Sequence, residues 1–312
     1  MILAAGGYLS HQNTVARSAS LEGIGLHTGV PVHVRLVPAP KGTGIVFKRV
    51  DLDGFTIKAA AKNVARVSYA TSLMRKGVLI STTEHLLSAL AASRIDNVFI
   101  EIDNLEVPIM DGSALPFIKL IRTAGLKQLR AARTWAKVVK PVEVVDGQKR
   151  IAIYPAEDFR ITYRISFPHP LIGEQERTFT MNLPGYERSV APARTFGFID
   201  EVEMLRQSGL VRGGSLENAI VLTQTGVMNP EGLRFPDEFC RHKILDLVGD
   251  MAMFGRPLIG HVVADRAGHA MHIALVSRLL REKSVWKLVR APQTATAKSR
   301  SEAPAIAATA AS

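Results

Sequence analysis

The sequence predicts an α+β fold built from two similar two-layer domains, each a β-sheet packed on helices. Two observations predict it. Short alternating or continuous apolar runs, such as Val30–Pro38 and Asn97–Ile102, read as strands. Longer stretches with apolar residues at helical spacing, such as Ser81–Ser93 and Asp237–Phe254, follow those strands in each half of the chain. Strands followed by one or two helices, twice over, suit a sheet covered on one face in each half. A chain of 312 residues is long enough for two such units.

Along the first half, residues 13–60 are rich in strand signals. Val30–Pro38 alternates, Gly42-Thr43-Gly44 turns the chain, and Ile45-Val46-Phe47 continues it. Val78-Leu79-Ile80 is a short strand, and Ser81–Ser93 a helix with Leu86, Leu87 and Leu90 on its apolar side. Leu115–Thr123 is a second helix that Gly125 ends. A composition shift at 127–134 marks a junction, so the domains are expected at 1–127 and 134–290. In the second half, strands are expected at 136–145, 151–154, 161–167, 219–222 and 257–264. Helices are expected at 201–208 and 237–254. Residues 269–289 are expected to begin as a strand and become a helix. The Ala-, Ser-, Thr- and Pro-rich stretch 291–312 is expected to be a disordered tail.

Composition narrows the function. Charged residues make up 21% and hydrophobic ones 47%, as in ordinary globular proteins. A single cysteine, Cys240, excludes an intramolecular disulfide and a thiolate cluster, and suits a reducing compartment. Lys and Arg exceed Asp and Glu by 39 to 28, a net charge of +11 that favours an anionic partner. The basic residues are scattered, aromatics are only 6%, and no helix-turn-helix or zinc-finger spacing occurs, so nucleic acid is not the expected partner. There is no apolar run of the ~18 residues a membrane span needs. The first ten residues lack a basic segment and a long apolar core, so no leader is expected and the protein is read as cytoplasmic.

The chemistry-bearing residues centre on the helix 237–254. There His242, Asp246 and Asp250 fall at i, i+4 and i+8, a stripe that drifts by about 40° per step. An imidazole and a carboxylate one turn apart make a pair of metal ligands. Cys240 points about 160° away from His242, which makes it a poor further ligand and favours an open site over a closed structural one. His85, at the start of the first-half helix, is a candidate third ligand. Its neighbour Glu84 points about 100° away and is a candidate base. Ser81-x-x-Glu84 also matches a capping box, in which Glu84 returns to the cap amide. His269, after Gly268, is either a turn histidine or a general acid that Asp250 could orient. Thr195 lies next to Phe196 and could donate to an oxyanion or simply pack. Gly23–Gly29 is Gly-rich like a phosphate loop, but matches neither GxGxxG nor a Walker loop.

Taken together and in order, these motifs resemble the UDP-3-O-acyl-N-acetylglucosamine deacetylases of lipid A synthesis. The matching stretches are Gly-Leu-His-Thr-Gly at 25–29, Ser-Thr-Thr-Glu-His-Leu at 81–86, Ile-Asp-Asn at 95–97 and Pro-Ile-Met-Asp-Gly-Ser at 108–113. Ala-Arg-Thr-Phe-Gly-Phe at 193–198, Asn-Ala-Ile-Val at 218–221, Gly-Leu-Arg-Phe at 232–235, Asp-Glu-Phe at 237–239, Arg-His-Lys at 241–243 and Ala-Gly-His at 267–269 complete the set. The resemblance spans roughly residues 11–288. It implies one catalytic Zn2+ held by His85, His242 and Asp246, in a site between the two domains. It implies Glu84 as general base, Thr195 at the oxyanion, and His269 as an acid oriented by Asp250. The implied reaction removes the N-acetyl group of an acylated UDP-sugar. Lys243 and Lys149 are candidate partners for the diphosphate, Phe167 for the base, and Phe196 is a further substrate contact. A small βαβ insert at about 199–225 would hold the acyl chain, with Ile199, Val202, Leu205, Leu210 and Val211 either lining it or forming ordinary core. The expected assembly is a monomer that meets the membrane surface only transiently.

Overall fold

The computed structural model describes residues 10–290 apart from Ser68. The leader position at 1–9 and the expected tail 291–312 lie outside the described residues. Six α-helices occur among those described: α1 (Glu84–Ala92), α2 (Leu115–Ala124), α3 (Leu183–Ser189), α4 (Ile199–Gln207), α5 (Glu238–Met251) and α6 (His269–Arg281). None is long and apolar enough to cross a membrane. With the sheets described next, they make an α+β fold.

The first sheet has five strands, ordered Ala19–Ile24, Pro31–Pro38, Val98–Ile102, Ile45–Arg49 and Phe55–Lys58. All its pairs are antiparallel except that of Ile45–Arg49 with Val98–Ile102. Alternation explains its inner face: Val32, Val34 and Leu36 are buried, while Pro31 and Arg35 face solvent. These residues share a core with Leu86, Leu87 and Leu90 of α1 and with Phe117, Ile118 and Ile121 of α2.

The second sheet has seven strands arranged about Leu258–Asp265. That strand pairs antiparallel with Lys149–Tyr154 and parallel with Phe159–Ser166 and Thr134–Val138. Its inward residues share a cluster with Ile244, Leu245, Leu247 and Val248 of α5 and Leu275, Val276 and Leu279 of α6. No strand belongs to both large sheets. A parallel pair, Phe196–Phe198 with Ile220–Leu222, flanks α4 and forms the βαβ insert. It begins three residues before the expected 199.

Several local expectations differ from what forms. Residues 126–132, which overlap the junction expected at 127–134, make a strand that pairs with His11–Val15. Its mostly exposed side chains carry no apolar signal. The single strand expected at 136–145 is two, Thr134–Val138 and Val142–Asp146, broken around Pro141. His269 starts α6 directly, so no strand opens the stretch 269–289. Met271, His272, Leu275, Val276 and Leu279 bury one helical stripe, and the strand Trp286–Arg290 follows instead. The polar edge strand Glu174–Thr180 and the short α3 were not expected at all.

Candidate active site

Helices α1 and α5 cross at Gly249. A Cβ there would lie 2.1 Å from the Glu84 carbonyl oxygen, so only glycine permits this approach. Ser88 of α1 fastens the crossing by donating to the Leu245 carbonyl at 2.7 Å. The contact brings His85 from the first half against His242 and Asp246 from the second. All three are at least 96% buried, and their ligand atoms lie within 4.8 Å of one another.

Within this cluster, His242 Nε2 is 3.4 Å and His85 Nε2 3.6 Å from Asp246 Oδ1. The His rings meet edge-on with centroids 5.0 Å apart. A tetrahedral zinc with bonds of about 2.0–2.1 Å sets its ligand atoms ~3.3–3.4 Å apart, so the three donors fit such an ion. The tautomer fits as well. His242 Nδ1 donates to the Ala193 carbonyl at 3.0 Å, which leaves the Nε2 lone pair free. Burial pushes the His242 pKa down to about 3, so the ring is neutral, as a ligand must be. Burial opposes ionisation of Asp246, yet the cations beside it, Lys243 and His269, hold it well below the usual carboxylate range. Cys240, in contrast, turns its buried thiol to the Tyr163 carbonyl, and burial pushes its pKa up to about 12. It is not a fourth ligand.

Two groups flank the cluster. Glu84 is 4% exposed, and burial raises its pKa. One carboxylate oxygen accepts the Thr71 amide at 3.1 Å. The capping-box reading is therefore wrong: the Ser81 amide goes to the Leu105 carbonyl, and the residue before α1, Thr83, makes no side-chain cap. His269 is held at Nδ1 by Asp250 Oδ2 at 2.6 Å, and its Nε2 lies 3.9 Å from Asp246 Oδ2. Burial works against the imidazolium, but Asp250 outweighs it and raises the His269 pKa to about 9. His269 in turn helps bring Asp250, against its burial, down to about 2. A carboxylate and an imidazolium thus sit around a cluster that could hold a metal ion.

The Ala193–Phe198 segment makes another wall. Arg194, 2% exposed, is pinned to the fully buried Glu238 of α5 at 3.0 Å and to Glu231. That pair fixes Ala193 against His242 and leaves Thr195 between two residues that touch the His242 ring. Phe196 packs edge-on against Phe239 at 4.9 Å and against Phe167 at 5.9 Å. The Lys243 ammonium lies 5.6 Å above the Phe196 ring and 3.2 Å from Asp246 Oδ2. Phe167, Phe196 and Lys243 therefore come together beside the cluster. Lys149 is not part of that aromatic group. It is exposed at the start of Lys149–Tyr154, on a hairpin that Arg266 grips through Gln148.

The Gly-rich loop is not a phosphate cradle. The His27 and Thr28 amides both donate to the Glu106 carboxylate, and those of Gly25 and Gly29 are used within the loop. The loop instead receives the segment after α4 within the insert, where the Arg212 and Gly213 amides donate to the His27 and Leu26 carbonyls. The apolar residues of α4 and its following loop, Ile199, Val202, Leu205, Leu210 and Val211, are all half-buried, so they are not ordinary core.

Sequence reasoning missed two participants, Thr71 and His272. His272 Nδ1 is 2.8 Å from Asp250 Oδ2, and Thr71 Oγ1 donates to Asp250 Oδ1 at 2.6 Å. The spacing His269-x-x-His272 on one helical face was the available signal for the first. None existed for the second.

Comparison with known proteins gives the family. The sequence model of the family described as UDP-3-O-acyl N-acetylglycosamine deacetylase matches residues 12–281. The chain belongs to this family. A UDP-3-O-acyl-N-acetylglucosamine deacetylase of Solibacter usitatus (strain Ellin6076) is 53% identical over 285 residues, 91% of this chain and 96% of the relative. Proteins of the same name from Myxococcus xanthus (strain DK1622) and Geobacter sp. (strain M21) are 49% and 47% identical. They cover 90% and 89% of this chain, and 90% and 92% of their own lengths. The stretch that the deacetylase family model spans contains every member of the cluster, from Thr71 to His272.

Proposed function

We propose that this chain hydrolyses the N-acetyl group of a UDP-3-O-acyl-N-acetylglucosamine, releasing acetate and the free amine, in lipid A synthesis. The observation that carries the reading is the placement of buried Glu84 and protonated His269 around three donors that fit one zinc ion. His85, His242 and Asp246 would hold that ion. When bound, zinc supplies a Lewis acid for the amide carbonyl and makes water more acidic.

The chain's own residues supply the rest. Glu84, its carboxylate aimed by the Thr71 amide, takes a proton from the attacking water as the new C–O bond forms. The Thr195 hydroxyl donates to the oxygen that gains negative charge. As the C–N bond breaks, His269 gives its proton to the nitrogen, because an unprotonated amine leaves poorly. Asp250 keeps His269 oriented through Nδ1 so that Nε2 faces the site. Lys243, Lys149, Phe167 and Phe196 are the proposed contacts of the nucleotide and diphosphate, and the insert at 196–222 that of the acyl chain. We take residues 1–127 and 134–290 as two domains with the site between them. We read the enzyme as a cytoplasmic monomer that meets the membrane surface only transiently.

Acetate release from the UDP-acyl-GlcNAc substrate, measured with and without a chelator, tests the reading. Zinc-dependent release is expected. Release that persists without zinc, or no release at all, overturns it.

A further inference from the structure

Asp250 is fully buried, and both its oxygens are occupied. Thr71 Oγ1 donates to Oδ1 at 2.6 Å, while the Nδ1 atoms of His269 and His272 share Oδ2 at 2.6 and 2.8 Å. His272 is also fully buried, one turn after His269 in α6. Its Nε2 lies 3.1 Å from the Tyr163 hydroxyl, and that hydroxyl lies 2.7 Å from the Ala267 carbonyl, two residues before His269. The contacts therefore close a ring: from Asp250 through His272 and Tyr163 to Ala267, along the backbone to His269, and back to Asp250. Burying two imidazole nitrogens costs free energy that an apolar residue would not, and the neighbouring Met271, Leu275 and Val276 show that this face packs well without polarity. Asp250, His269 and His272 could also be read as a metal triad. However, 2.6 and 2.8 Å are hydrogen-bond lengths, shorter than the separation of two ligands around one ion.

We propose that His272, backed by Tyr163, is a positioning residue for this reaction. It fixes the Asp250 carboxylate through Nδ1, and thereby the rotamer in which His269 presents Nε2 to the substrate nitrogen. The proposal rests on the deacetylase reading. Wild-type zinc-dependent acetate release tests that reading separately, and its absence sinks that reading before His272 is in question.

The amides of Asn and Gln reach different points of the imidazole they replace. In His272→Asn the amide takes the place of Nδ1 and still donates to Asp250. In His272→Gln it takes the place of Nε2, facing Tyr163. The expected result for His272→Gln is a fall in kcat of about 10- to 100-fold with KM and zinc content unchanged, the size expected for a hydrogen bond to a charged group. His272→Asn is expected to keep kcat within about threefold of wild type, because that bond survives. Tyr163→Phe, which leaves the Asp250 contacts in place, is expected to lower kcat less than His272→Gln at unchanged KM. Equal losses in the Asn and Gln variants, no loss in either, or a loss confined to KM would each overturn the proposal. Melting curves and zinc content identify any variant that has lost its fold, and Tyr163→Phe then decides by its kcat at unchanged KM.

Discussion

Gly249 of α5 lies against the backbone of Glu84 in α1, so closely that a Cβ would sit 2.1 Å from the Glu84 carbonyl oxygen. One helix carries Glu84 and His85, and the other carries His242 and Asp246. The absence of a side chain at one position therefore sets the spacing of the whole site. Gly249→Ala must push the helices apart, because the obstacle is backbone and cannot rotate away. The expected cost is about 1–3 kcal/mol or more of stability from overpacking. A disproportionate loss of bound zinc should accompany it, since the three proposed ligands must converge to a fraction of an ångström. Thermal melting and zinc stoichiometry on the same sample check this. A variant that melts lower yet holds zinc at full affinity would show that the crossing does not set the cluster.

Glu84→Gln separates catalysis from structure. The amide oxygen of Gln still accepts the Thr71 amide, so fold and zinc content should persist. A base can no longer form, and kcat is expected to fall about 10²- to 10⁴-fold. A variant with near-normal turnover would remove Glu84 from the chemistry.

The sequence made much of this site legible because its helices announce themselves. The apolar stripe of α5 and the i, i+4 pair His242 and Asp246 are visible to anyone counting residues. What was not legible depends on distant neighbours. Thr71 and Asp250 lie 179 positions apart, and a lone threonine just before the short strand Ser72–Arg75 carries no periodic signal. Ser81 and Glu84 matched a capping box, but the Thr71 amide competes for the Glu84 carboxylate and wins. Glu174–Thr180 escaped notice because its inward face carries the polar Gln175 and Arg177 beside Phe179, so burial alternates along the strand while hydrophobicity does not. The roles of Thr195 and Lys243 came from resemblance, and spacing alone gave neither.

The Arg194–Glu238 pair should matter for stability more than its surface counterparts. Arg194 is 2% exposed and Glu238 is fully buried, and Glu238 also accepts the Arg194 and Arg234 amides. Arg194→Met leaves a buried carboxylate without its cation, which costs roughly 3–5 kcal/mol in such settings. Adding Glu238→Gln removes the stranded charge and should restore part of the loss, because Gln can still accept an amide. Denaturant unfolding of the two variants measures this. A loss of under ~1 kcal/mol for Arg194→Met, the size of a surface pair, would show that the pair is not acting as a buried one.

Asp250→Asn predicts a signed shift in the pH profile. Burial alone would lower the His269 pKa, and Asp250 is the main group that raises it to about 9. In the proposed mechanism the acid form of His269 is needed for amine departure, so the basic limb of kcat/KM is expected to follow its loss of a proton. Removing the Asp250 charge makes that loss easier and moves the limb to lower pH. The linked stability has the same sign. A histidine raised from 6.5 to about 9 contributes stability that is present below pH 6.5 and fades as pH rises through 9. In metal-free protein that part of the pH dependence should shrink when Asp250 is replaced. The acidic limb should move far less, since the Asp250 charge is only a minor influence on Glu84, behind burial, His269, His85 and Asp246. A basic limb that stays in place in Asp250→Asn would mean that His269 does not control it.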